Sequence, residues 1–215
     1  MPARKAELPL SLDRIHEAAL DSIARDGVAA LSMRGLARDL DVDPMALYHY
    51  VPSKAALLVQ VRERTLAPLF DAASSAAAPG AGWDDRLRVL LRRFREVTTA
   101  HPHVFPGLIA SSATSPGINR AVDEVLGILL DAGFEPVRAV RLGDLVFSFA
   151  TGFVLLELKS AADAAAPAPE PASGPPPELA TLRRLHGVLQ ANAFGNSFEA
   201  GLEFVIAGLE RELRP

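Results

Sequence analysis

Apolar residues in this chain recur at three- and four-residue spacing and do not alternate, the periodicity of helices with one buried face. Leu87, Leu90, Leu91, Phe94 and Val97 stand at i, i+3, i+4, i+7 and i+10, and the spacing predicts an amphipathic helix from Trp83 that stops before His101-Pro102. A chain patterned in this way is expected to be all-α. Hydrophobic residues make up 49% of the 215 positions, enough to fill one large core or two small ones.

Several classes are excluded or disfavoured. Cysteine is absent, so the chain has no disulfide framework, thiolate nucleophile or zinc-thiolate site. Residues 1–10 lack an apolar stretch of signal-peptide length, and the longest near-apolar run, Leu145 to Leu156, is shorter than the roughly 18 to 20 residues that span a bilayer. The chain therefore reads as cytoplasmic, with no membrane partner. Its net charge of −4, and the seven basic against eight acidic residues in positions 1–60, argue against coating nucleic acid by bulk charge. Any DNA binding needs a specific positive face.

Local signals divide the chain. Ser11 is an N-cap type before Ile15, Ala19 and Ile23, and Gly27 is placed to end that first helix. Ser32 can cap a short helix carrying Leu36, Ala37 and Leu40; Asp43 and Pro44 then suit the N-cap and N1 positions of a third, from Pro44 to Tyr50. Pro52 ends it, Ser53 caps a fourth helix, and Pro68 is expected to kink or loosen that helix. Residues 72–82 read as the connection between an N-terminal domain, 1–71, and a larger one, 72–215. Helices are expected over Ile118 to Leu130, Val137 to about Lys159, Glu178 to about Gln190 and Ser197 to Leu213. Residues 161–177, rich in Ala, Pro and Ser, read as a flexible linker.

The segment from Leu31 to Lys54 thus holds two short helices and a tight turn, with Leu36, Ala37, Leu40, Val42 and Leu47 to pack them, as a helix-turn-helix requires. Its Leu31-Ser-Met-Arg-Gly-Leu-Ala37 start, Leu47-Tyr-His-Tyr-Val51 and Lys54 closely resemble the tetracycline-repressor family. Trp83, Phe94 and the Phe198 to Leu213 segment are similar to the tetracycline repressors' C-terminal half. The resemblance implies a three-helix DNA-binding domain followed by a helical domain that binds a small-molecule effector and forms a homodimer. It places Arg34, Pro44, Met45, Ala46, Tyr48 and Tyr50 in the groove of a double-stranded operator, with Lys54 on a phosphate. The chemistry suits this. Arginine can make two hydrogen bonds to guanine, Met and Ala can touch thymine methyls, and Tyr hydroxyls and Lys suit phosphate oxygens. Taken singly, Arg34 and Lys54 also read as solvated charges and the tyrosines as half-buried aromatics; the ordered pattern is what sets them apart.

By the same resemblance Leu90, Phe94, His101, Phe105 and Leu142 come from elements around the ligand cavity. The Leu145 to Leu156 helix and the last helix, with Gly201 and Gly208 seven residues apart, pair across the dimer in family members, although both also read as monomer core. His101 and His103 lack a third metal ligand in sequence, so no metal or other cofactor is expected. In an ungapped alignment the two metal-binding positions of the tetracycline site fall at Leu108 and Leu156, with Glu157 adjacent, which disfavours tetracycline itself. Without cysteine or a glycine-rich phosphate loop, and with its five histidines scattered, the chain does not read as an enzyme. The alternative is a helical ligand-binding or interaction module without sequence-specific DNA binding.

Overall fold

The computed structural model describes residues 9–76, 80–105, 116–165, 174–191 and 194–213. These are helical, with no strand among the described residues, as the periodicity requires. The helices are α1 (Leu12–Ala30), α2 (Met33–Asp39), α3 (Pro44–Tyr48), α4 (Lys54–Ala76), α5 (Trp83–Ala100), α6 (Pro116–Asp131), α7 (Pro136–Ala165), α8 (Ala180–Ala191) and α9 (Phe194–Leu213). They form two compact units, one of residues 1–75 and 96–121, the other of residues 76–95 and 122–215.

In the first unit, Ser11 caps α1 by accepting a hydrogen bond from the Arg14 amide at 3.2 Å, and Ile15, Ala19 and Ile23 are buried along one face. Gly27 interrupts the helical geometry with φ 81° and ψ 163°, after which one last turn runs to Ala30. That region of backbone space is essentially restricted to glycine. No heavy atom lies within 4 Å of where a Cβ would stand. Gly27→Ala is therefore expected to destabilise by about 1–3 kcal/mol through backbone strain alone, read as a lowered midpoint in urea with an unchanged m-value.

Helix α4 remains helical through Pro68 to Ala76, so the prolyl ring does not end it. Leu57, Val61, Leu66 and Leu69 bury its inner side. The Arg120 guanidinium of α6 lies 4.6 Å from the centre of the Phe70 ring, and Gly117 admits Leu66 and the Glu63 carboxylate so closely that a Cβ would stand 3.0 Å from a Glu63 oxygen.

The second unit is built around α7 and α9. Phe198, Leu202, Ile206 and Leu209 bury one stripe of α9, and Ala139, Gly143, Val146, Ala150 and Val154 one stripe of α7. Phe198 stacks on Phe149 at 5.6 Å and meets Phe153 edge-on at 5.5 Å. A Cβ on Gly201 would stand 2.7 Å from the Phe149 ring, so this glycine serves close packing within the chain, whereas Gly208 has nothing within 4 Å. Three arginines of α5 tie the unit together: Arg88 to Glu203 and Asp84, Arg92 to Glu199, and Arg95 to Glu157. The hydrogen bond from Arg88 holds the Asp84 and Glu203 carboxyls below their usual range.

Helix α7 continues to Ala165, beyond the end expected near Lys159, with a Lys159–Asp163 ion pair on its surface. The start of the expected 161–177 linker is thus helical. Alanine is the strongest helix former, and its run sustains the helix where composition suggested a linker. Residues 166–173 lie outside the described residues. With an 18-residue window of mean hydropathy 1.6, α7 is long and apolar enough to cross a membrane by length and composition, and its buried stripe packs against α9.

Candidate nucleic-acid interface

The turn between α2 and α3 is built from its caps. Ser32 accepts from the Gly35 amide at 3.1 Å and Asp43 from the Met45 amide at 2.7 Å, with Pro44 at the first helical position, where its missing N–H is not needed. Between them Asp41 takes a left-handed conformation, φ 55°, which short polar side chains tolerate, and the Val42 amide donates to the Ala37 carbonyl at 3.0 Å. Leu36, Ala37 and Leu47 are buried, with Leu40 and Val42 half-buried beside them. Helix α3 is shorter than the expected span to Tyr50. It closes at Tyr48, and the amides of Tyr50 and Val51 both return to the Leu47 carbonyl, because Pro52 keeps the preceding residue out of helical geometry.

This packing sorts the candidate side chains. Arg34, Met45 and Tyr48 are exposed, Met45 at 65%, and Pro44 and Ala46 are half-exposed beside them. Among the described residues Arg34 and Tyr48 have no hydrogen-bonded or ion-paired side-chain partner. Tyr50 and Lys54 are already engaged. The Tyr50 hydroxyl donates to the Leu10 carbonyl at 2.8 Å, and the Lys54 ammonium donates to the Ala29 carbonyl at 3.2 Å. A hydroxyl has one proton to donate, so Tyr50 cannot serve Leu10 and a phosphate at once, whereas an ammonium keeps two more. Ser53, accepting from the Ala56 amide at 3.1 Å, caps the helix that Lys54 opens.

The structure also explains how an N-terminal segment with no basic excess presents cations. Asp26 and Asp39 both bind Arg25, at 2.8 and 3.1 Å, Asp13 pairs with Arg64, and Asp43 is spent on its cap. The bonds to Asp26 and Asp39 hold the Arg25 guanidinium above its ordinary value. Arg34 and, one turn on, Arg38 are left exposed on α2 without such partners. Arg38 was missed from sequence; its signal was the four-residue step from Arg34 on one helix face.

The candidate ligand residues divide between the units. Leu90 is buried and Phe94 and Leu142 half-buried in the second; Phe105 is buried and His101 half-buried in the first. Leu108 lies outside the described residues, Leu156 is exposed, and the Glu157 carboxylate is held by both Arg95 nitrogens at 2.6 and 2.8 Å. No group of three or more His, Asp and Glu among the described residues could hold a metal ion.

Residues 15–61 match the family description "Bacterial regulatory proteins, tetR family", and residues 76–213 match "Tetracyclin repressor-like, C-terminal domain". This chain belongs to the tetracycline-repressor family. Among its relatives, the tetracycline repressor protein class E of Escherichia coli is 30% identical over 148 residues, 69% of each chain. A possible TetR family transcriptional regulator from Streptomyces coelicolor A3(2), solved by crystallography, is 31% identical with a TM-score of 0.74, over 95% of this chain and 100% of that one. ActR from Streptomyces coelicolor, solved in complex with actinorhodin, is 25% identical with a TM-score of 0.71, over 97% and 100%. The matches to the first curated relatives span 55%, 69% and 61% of those proteins' own lengths. Members of this family are regulators rather than enzymes.

Proposed function

We propose that this family member is a cytoplasmic, homodimeric repressor that its N-terminal domain, residues 1–71, places on a palindromic operator, and that a small, largely apolar effector bound by residues 72–215 releases it. The observation that carries this reading is the helix-turn-helix with Asp39 held by Arg25, Asp43 engaged as the cap of α3, and Arg34, Met45 and Tyr48 exposed. In this reading Arg34 reads a base, Pro44, Met45 and Ala46 give apolar contacts, and Tyr48, Lys54 and Arg38 bind phosphates. Tyr50 fixes Leu10 beside the recognition helix, and its contact with DNA is made through the ring.

For the effector, Leu90, Phe94 and Leu142 of the second unit supply apolar surface, in keeping with the usual make-up of small-molecule sites. The actinorhodin complex of ActR supports a small-molecule effector. The engagement of Glu157 by Arg95 supports one other than magnesium-bound tetracycline. Release requires that the effector bind the free and operator-bound dimers unequally.

The test is a salt-controlled gel shift on DNA flanking the coding region. Arg34→Ala is expected to weaken operator binding by about 1–3 kcal/mol and relax the sequence preference at one position, while Lys54→Ala weakens all sequences alike and lowers the salt slope by about 1. Absence of any sequence-specific shift would overturn the reading in favour of a helical ligand-binding module that does not bind DNA.

A further inference from the structure

A cleft of about 460 Å³ opens within the first unit, between α1 and the turn after α5. Its volume is in the range of small-molecule sites. Glu17 and Asp21, one helical turn apart on α1, supply two carboxylates; His101 and His103 supply two imidazoles, and Leu20 and Val104 apolar surface. The lining contains no lysine or arginine. Among the described residues none of these four polar side chains has a hydrogen-bonded or ion-paired partner, in contrast to Asp13, Asp26, Asp39 and Asp43 of the same unit. Like charges four residues apart on a helix repel, so a cation between them relieves a repulsion that the fold leaves standing. The groups do not converge as ligands of a single metal ion. A polyatomic cation with an apolar body suits a pair of carboxylates beside apolar surface.

We propose that this cleft is a second small-molecule site, sharing no residue with the effector site of Leu90, Phe94 and Leu142, and that it takes an organic ammonium or amidinium with an aromatic or aliphatic body. Glu17 and Asp21 bind the cationic head, Leu20 and Val104 pack the body, and the imidazoles accept further N–H donors. Such a ligand bridges α1, whose Ile15, Ala19 and Ile23 are buried in this unit, to residues 100–104, and occupancy stabilises the unit by mass action.

The experiment uses three indoles of one shape. Tryptamine is cationic, indole-3-ethanol neutral and indole-3-acetate anionic; each is titrated into the full chain and followed by calorimetry and by the backbone amide signals of Ala24 and Val104. Tryptamine is expected to shift both signals and to bind at least tenfold more tightly than indole-3-ethanol, with no binding of indole-3-acetate. The Glu17→Gln/Asp21→Asn double variant is expected to lose at least tenfold in tryptamine affinity while keeping its far-ultraviolet circular dichroism. Equal binding of tryptamine and indole-3-ethanol to the wild type would overturn the proposal. So would tryptamine affinity unchanged in the double variant, shifts that spare both α1 and residues 100–104, or no tryptamine binding at millimolar concentration.

Discussion

Phe198→Ala is expected to lower the stability of the chain by about 3–5 kcal/mol, the range for removing a fully buried aromatic ring. Phe198 is 0% exposed and holds four neighbours in place: Phe149 stacked on it, Phe153 edge-on, the Arg95 guanidinium 5.2 Å from its ring centre and, through Phe149, the close approach at Gly201. Arg95 loses its aromatic face but keeps Glu157, so the loss is one of packing more than of charge. Thermal unfolding followed by circular dichroism is the check, with a fall in midpoint on the order of 10 °C expected for a chain of this size. A shift of only a degree or two would mean that the cluster repacks without the ring and does not hold α7 to α9.

Six residues further along α9, Phe204 is 80% exposed, and its substitution is expected to behave in the opposite way. Phe204→Glu should leave the thermal midpoint of the monomer's core unchanged, since the ring makes little contact within the chain, and should abolish the proposed dimer. Helix α7 carries its own exposed apolar residues, Val137, Val140, Leu145 and Leu156, so two copies have matching apolar surface to cover. In a two-fold interface each substitution counts twice. Losing an aromatic anchor on both sides weakens the dimer by roughly 4 kcal/mol, on the order of a thousandfold in Kd. Sedimentation velocity at micromolar concentration would read this as a monomer, with loss of operator affinity because one recognition helix covers only a half-site. A variant that still sediments as a dimer would move the interface off this face of α9.

Much of the reading head was legible in the chain. Caps and breakers act over three or four residues, so Ser11, Ser32, Asp43, Pro44 and Pro52 marked helix ends that the structure places where local chemistry puts them. The 161–165 run was misjudged for a related reason. An alanine-rich stretch has a local preference, but neighbouring turns and packing decide whether a helix continues through it. The candidate DNA-contacting positions followed from an ordered pattern of residues, yet the pattern could not distinguish a tyrosine free to meet a phosphate, Tyr48, from one whose proton is given to Leu10, forty residues away in sequence.

The periodicity of apolar residues and the chemistry of caps and turns suffice to specify helices, the helix-turn-helix and the absence of thiol or disulfide chemistry, because those interactions close within a few residues. Which charges survive on the surface did not follow from their number. A segment with eight acids against seven bases exposes Arg34 and Arg38 without partners, while Asp39 and Asp13 are taken by Arg25 and Arg64, which folding brings to them. Likewise, residues 96–121 group with the N-terminal helices, and of two phenylalanines on one helix Phe198 is buried and Phe204 exposed. Pairing and burial depend on contacts between residues distant in the chain, and these exist only once the helices have packed.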